Sequence, residues 1–440
     1  MNVAVAKTGT ERRLSDVFAL ARGRLPGDGR VAEVRQAAIE VYERLGLPHR
    51  RVEEWKYTDL RALMREVLPL APLPDAAVLL RAREALASIA MAGAQKLVLV
   101  DGAVVPELSD LGASAPDVTI RTLREILDDA ANAARADLLL TETSDAMVSL
   151  NAAMATDGVV ISIADGAHVA APIQIVHIAV ASGASAFTRS HVRVGNGARA
   201  TLVENFVAAG GARGYQAHDA VILSVGDDVV LEHVRLMADA PDAVNITSDA
   251  ITIGARSKLN LFNMTGGGAV SRFQGVIKMA GEGSELSVNG VNLLRGTQHG
   301  DTTLVVDHAV PHCTSREIFR AVLDDRARSV FQGRIIVRPH AQKTDGKMMT
   351  RALLLSDQAE ADNKPELEIF ADDVTCGHGA TSGALDETLL FYLRARGLPE
   401  KEAQALLIQA FIGEALEPVG NDDLREFATS VAQRWLEVRA

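Results

Sequence analysis

Two cysteines, Cys313 and Cys376, are all that this chain of 440 residues contains. They cannot build a disulfide framework, and they sit in separate motifs, "PHCTSRE" and "VTCGHGA", so a reducing compartment is the simpler reading. Aromatic residues are scarce as well, at 4%. The core must rest on Ala, Val, Leu and Ile, and a sugar-cleaving enzyme would want more aromatic platforms. Positive charge is in deficit: 45 Lys and Arg against 57 Asp and Glu leave a net charge of −12. That is a poor match for nucleic acid or an anionic membrane surface, both of which attract clustered cations. No run of about 18 apolar residues occurs, so no membrane-spanning helix is expected. The stretch "MNVAVAKTGTERRLSDVFALARG" lacks the long apolar segment and small-residue cleavage site of a secretion signal, and reads as a mature cytoplasmic start. The glycine-rich "MTGGGAVSRFQG" (264–275) is followed by neither Gly-Lys-Ser/Thr nor a helical pattern. It reads as tight corners rather than a phosphate loop, which leaves any use of ATP to a partner.

What is present divides into three textures. Residues 1–145 read as mostly helical. "RVAEVRQAAIEVYERLG" spaces Val31, Val34, Ala38 and Val41 near the helical period and stops at Gly46. "TIRTLREILDDAANAARADLL" carries the same rhythm. Between them, "QKLVLVDGAVVPEL" reads as a hairpin turning at Asp101-Gly102. "VEEWKYTDL" reads as a domain-packing corner around Trp55. Over 146–383, short Val- and Ile-rich runs alternate with turns, and Gly166, Gly195, Gly226, Gly254 and Gly281 recur about every 27 to 31 residues. A β-sandwich would explain the strands but not the repeat; a parallel β-helix explains both. Over 384–440 helix returns, with Asp386 as a cap, Gly397 as a stop, and Leu406, Leu407, Ala410 and Phe411 on one face of the next helix. These helices either cap an open end of the solenoid or dock a partner.

Cys376 and His378 stand two residues apart in "DDVTCGH". On a strand they share a face, about 7 Å apart along the backbone. Three chemistries compete: two side chains in packing, a thiol nucleophile with its base, or half of a site for zinc, iron or an iron–sulfur species. A closed metal site needs more ligands, and none of His299, His308, His312 and His340 is at ligand spacing to the pair. On a strand, the adjacent His312 and Cys313 would face opposite sides and could not chelate one ion; Cys313 reads as structural. The missing ligands would come from elsewhere in the fold or from another chain.

"NKPELEIFADDVTCGHGATSGALDETLLFYLRARGL" (363–398) closely resembles the C-terminal signature of the SufB/SufD family of iron–sulfur cluster assembly proteins. "VEEWKYTDL" and "QKTDGKMMTRALLLSDQAEADNKPELEIFADDV" resemble its SufD branch. The resemblance implies a mainly β fold, a right-handed parallel β-helix flanked by N-terminal and C-terminal helical regions. It implies a non-catalytic cytoplasmic scaffold that pairs with SufB and binds the ATPase SufC through roughly Asp386 to Leu416. His378, with Cys376 beside it, would contribute to an inter-chain half-site for iron or a nascent iron–sulfur cluster, completed by a SufB cysteine. Two other classes are weighed beside it. A β-solenoid enzyme of the polysaccharide lyase or acyltransferase type would show a secretion signal or a strict six-residue repeat. A homodimer paired through its sheet edges is compatible with the scaffold reading.

Overall fold

The computed structural model describes residues 9–112, 116–140 and 145–439. Residues 1–8, where the N-terminal stretch discussed above begins, lie outside them. The chain starts with helices α1 (Gly9–Ala21), α2 (Arg30–Leu45), α3 (Leu60–Leu63) and α4 (Ala76–Ala87), then strands β1 (Gln95–Val100), β2 (Ala103–Val104) and β3 (Val118–Thr122), and helices α5 (Leu123–Asp128) and α6 (Ala146–Met154). α2 buries Val31, Val34, Ile39 and Tyr42 and ends where Gly46, at φ 73°, returns its N–H to Tyr42 O. The expected hairpin is present: Leu99 pairs with Val104, and Asp101 and Gly102 both take positive φ, as a type I′ turn requires. One expectation fails. "TIRTL" was read as helical, yet Val118–Thr122 is extended and pairs antiparallel with the next strand. Helix begins only at Leu123, where Thr122 and Glu125 form a capping box.

Sixteen strands follow, from β4 (Val159–Ile163) to β19 (Thr375–Gly383). Even- and odd-numbered strands belong to two different sheets, so each pair is one turn of a parallel solenoid, eight turns in all. Rungs align without slippage: Val244, Val270, His299, Arg328 and Glu360 form one column. Parallel in-register stacking over this length is a solenoid and not a sandwich. β1 and β2 extend the odd sheet and β3 extends the even one, both finishing in antiparallel pairing.

The first four corners between an even strand and the following odd strand are linked by a ladder of side chains. Asp165 Oδ1 accepts from Asn196 N at 2.8 Å, Asn196 Oδ1 from Asp227 N at 2.8 Å, and Asp227 Oδ1 from Ala255 N at 2.7 Å. Each short polar residue thereby satisfies the backbone one turn further on. Of the repeated glycines, Gly195, Gly226, Gly254 and Gly281 sit against this ladder, while Gly166 takes φ 70° with open space beside it. A Cβ on Gly281 would lie 1.9 Å from Ala255 N, so no larger residue fits.

Between the sheets, inward positions are apolar near this corner: Leu202, Leu231, Leu259 and Leu286 share one core with Val192, Leu223, Ile251 and Ile277. Toward the opposite corner, in the N-terminal half of the solenoid, the inward positions turn polar: Glu204, Asp219, His233, Arg235 and Asp249 are all buried. The helices cover the outer faces. Phe18, Tyr42, Trp55 and Leu150 pack on Phe187 and Ile246 of the even sheet. At the other face, α8 (Glu400–Leu416) and α9 (Asp422–Arg439) lay Ile408, Ile412, Leu424 and Trp435 on Val234, Phe262 and Val291 of the odd sheet. These two helices therefore run along a sheet face rather than across the solenoid's last rung.

Candidate functional site

Among the described residues, β19 pairs with β17 (Asp345–Leu354) and with no other strand, so its second edge is open. Cys376 stands opposite Gly346, and His378 opposite Met348. Met348 is buried in the interior core, so strand alternation aims Cys376 and His378 at the same inward side of the last rung. Cys376 is half-buried against that core, while His378 is exposed, as expected where no further rung lies above it. The pair thus shares a face, as its spacing requires.

Burial pushes the Cys376 thiol up from its ordinary pKa. The Gly346 N–H offsets part of that shift, and the nearby carboxylates Asp345 and Glu317 reinforce it. The thiol is therefore the resting form at neutral pH. A nucleophilic cysteine needs the opposite environment, with cations or a helix N-terminus lowering the pKa. Below Met348 in the same column lies Glu317, fully buried, with no hydrogen bond completed at either carboxylate oxygen. Burial raises its pKa to about 8, against partial lowering by Ser315 and Arg316. The Ser315 hydroxyl is itself engaged with His308 Nε2 at 3.0 Å. Cys313 is fully buried in the apolar interior, its thiol 3.4 Å from Gly281 O, as a packing residue would be.

The last even strand, β18 (Glu360–Ile369), is pinned by the N-terminal segment. Lys364 pairs with Glu53, and Arg334 on the rung beneath reaches Glu54 at 3.5 Å. Trp55 is buried, donates Nε1–H to Asp145 at 2.9 Å, and stacks under the Arg272 guanidinium, whose carbon is 3.8 Å from a ring centroid. Arg272 also pairs with buried Asp301 and donates to Glu54 O at 2.7 Å. "VEEWKYTDL" is thus the packing corner that its composition suggests, and it holds the terminal rungs in place. Ile369 and Phe370 remain exposed at the edge, Phe370 by 58%.

A second exposed apolar surface lies on the C-terminal helices. Asp386 caps α7 (Glu387–Ala395) by accepting from Thr388 N and Leu389 N, and Gly397 ends it at φ 94°. Leu389, Phe391, Tyr392 and Leu406 stand out from α7 and α8, with Phe391 73% exposed. Leu406, Leu407, Ala410 and Phe411, grouped on one face by their spacing, do not make up the sheet-facing side of α8, although Phe411 packs at its margin. Ala403, Ile408, Ile412 and Ala415 face the sheet instead, because α8 is apolar on several sides and the odd sheet selects one.

With this geometry in view, the chain can be set beside known proteins. Residues 177–411 match the family described as SUF system FeS cluster assembly, SufBD core domain, and residues 26–175 match the SufBD protein N-terminal region. The chain belongs to the SufB/SufD family. It is 32% identical to the iron–sulfur cluster assembly protein SufD of Escherichia coli, over 89% of this chain and 90% of that one. An iron–sulfur cluster assembly SufBD family protein of Synechocystis is 28% identical over 89% and 88%. The SufD of Bacillus subtilis is 24% identical over 91% and 93%. This SufD-like chain is therefore an iron–sulfur cluster assembly protein by family, built on a mainly β solenoid.

Among the described residues, the groups of three side chains close enough to hold a metal ion lie not at Cys376 and His378 but among His177, Glu204, Asp219, His233 and Asp249. Sequence reasoning did not single these out. Their signal is a charged residue on the inward phase of an otherwise apolar strand, as in "TLVENFV" and "LEHVRL".

Proposed function

We propose that this chain is the SufD-type scaffold subunit of an iron–sulfur assembly complex, without catalysis of its own. It pairs with SufB through the open last rung, β18 and β19, and takes the ATPase SufC on α7 and α8. Cys376 and His378 form its half of a site at which iron and sulfide are held as cargo while a cluster forms. The observation that carries this reading is a sulfur and imidazole pair set side by side on the rung that no further strand covers among the described residues. Two ligands leave a cluster iron open to ligands from another chain. Uncovered edge strands bear unpaired N–H and C=O groups and favour pairing with a second chain, either SufB or, in its absence, another copy of this one.

The apolar residues Leu389, Phe391, Tyr392 and Leu406 support a protein-docking role for α7 and α8, since this much apolar surface on neighbouring helices favours burial. The working division is residues 1–145 as the helical N-terminal region, 146–383 as the solenoid and 384–440 as the ATPase-docking helices. A reducing, cytoplasmic setting suits two free cysteines, one of them a proposed ligand. Among the described residues no helix is long and apolar enough to cross a membrane.

The test is anaerobic co-expression with SufB and SufC, followed by measurement of iron, acid-labile sulfide and the visible spectrum. His378→Ala should leave the complex intact and lower its iron and sulfide several-fold. Unchanged iron and sulfide would return the pair to packing and leave cluster chemistry wholly to the partner.

A further inference from the structure

We propose that His177, Glu204 and Asp219 form a binding site for one divalent first-row transition-metal ion (Mn2+, Fe2+ or Zn2+) inside the solenoid. The site lies in the early turns, on β5 (Ile173–Ala179), β7 (Arg199–Ala208) and β8 (Gln216–Val225), far along the stack from Cys376 and His378. It stands independently of the function proposed above.

Two sheets converge here. One ligand atom from each of the three side chains lies within 4.8 Å of the others. Each side chain also carries one buried polar atom with no hydrogen-bond partner: His177 Nε2, Glu204 Oε1 and Asp219 Oδ2. Glu204 is 0% exposed and Asp219 3%. Their remaining oxygens are engaged and oriented. Glu204 Oε2 accepts from Arg235 Nε at 2.6 Å and lies 3.1 Å from His233 Nε2, and Asp219 Oδ1 accepts from Thr188 Oγ1 at 2.6 Å. His177 is held by stacking on Phe206, with ring centroids 4.4 Å apart. One oxygen fixed and the other left bare is how an outer ring of hydrogen bonds aims carboxylates at a metal.

The charge count points the same way. Three buried carboxylates, Glu204, Asp219 and Asp249, surround a single guanidinium, Arg235, which contacts Glu204 and lies 3.4 Å from Asp249. A dry interior does not tolerate unpaired charge, so carboxylates in excess of the cations around them either hold a proton or gain a cation, and one divalent ion would satisfy Glu204 and Asp219 together. One imidazole nitrogen with two carboxylate oxygens suits Mn2+, Fe2+ or Zn2+, whereas Mg2+ and Ca2+ favour all-oxygen shells. A cavity of about 40 Å3 is lined by His177, Asp219, Thr188 and Phe206, though not by Glu204, and leaves room for a water beside two of the three ligands.

The experiment uses the full chain, stripped with a chelator, reloaded with Mn2+, Zn2+ or anaerobic Fe2+, and desalted. Metal content and the thermal midpoint are then measured, with Mg2+ as the control. To separate this site from the last rung, the same loading is done on a Cys376→Ser, His378→Ala double variant. The expected result is one retained ion per chain and a raised midpoint, both kept in the double variant. Both should be lost in His177→Gln and in Asp219→Asn. Thr188→Val leaves all three ligands in place and should weaken affinity about tenfold, which keeps the test open if a ligand variant fails to fold. The proposal is overturned if none of the three ions is retained, if Mg2+ gives the same midpoint rise, if retention survives His177→Gln or Asp219→Asn, or if Thr188→Val binds as tightly as the wild type.

Discussion

Glu317→Gln should make the protein more stable at pH 8 while mattering little at pH 5. Glu317 is fully buried, neither of its oxygens completes a hydrogen bond, and burial lifts its pKa from the ordinary 4.5 to about 8. The groups around it are Ser315 and Arg316 on its own strand, His308, which is occupied by Ser315, and Cys376 two rungs above. The folded state thus holds a proton on Glu317 that the unfolded chain releases near pH 4.5. Its protonated form contributes fully below that pH, and stability drains away as pH rises toward 8. A shift of this size corresponds to on the order of 5 kcal/mol across the window, a ceiling that local relaxation and water entry reduce. Glutamine keeps the shape and cannot ionise. Urea midpoints for wild type and variant should be compared at pH 5, 6, 7 and 8. The variant should gain a few kcal/mol on the wild type over that span. A difference between them that stays constant to within about 1 kcal/mol would show that Glu317 ionises freely, and the account of its burial would fail.

Other outcomes follow from the corner ladder and the helical surface. Gly281→Ala puts a Cβ 1.9 Å from a backbone nitrogen and should cost on the order of 2–4 kcal/mol. Gly210→Ala, where nothing lies within 4 Å of the added atom, should be nearly neutral by the same denaturation assay. Phe391→Ser, at a residue 73% exposed, should leave the thermal midpoint unchanged and weaken capture of SufC in a pull-down by about tenfold or more; unaltered capture would remove α7 from the docking surface.

Much of this architecture is legible in the amino-acid sequence. The recurrence of Gly195, Gly226, Gly254 and Gly281 marks corners that physically exclude a side chain, so the period and the solenoid came together. Asp386 and Gly397 bracket α7 because caps are chemical and local. What could not be read is whatever a distant surface decides. "TIRTL" is apolar at helical spacing but is drawn into an extended form by pairing with β4. Which side of α8 is buried cannot be read locally, because Leu406, Leu407, Ile408, Phe411 and Ile412 wrap the helix, and only the odd sheet breaks the tie. Cys376 and His378 were visible from spacing, since alternation on a strand needs no tertiary knowledge. The inward charges at Glu204 and Asp219 were missed because their strands look like ordinary apolar strands until their phase relative to the interior is known.

The two ends of the solenoid are unlike. One finishes in the antiparallel strands β2 and β3; the other stops at β18 and β19 with its edges bare among the described residues. A rod adhesive at both ends would grow into a filament. Were this chain to associate only through the β18–β19 rung, as proposed above, one such contact would use up that end and stop at two chains. Pro365, Lys364, Glu366 and Glu368 on β18 further restrict what can dock there, since proline removes a donor and the charges demand complements. In that arrangement, where the stack ends would itself set how many chains can join.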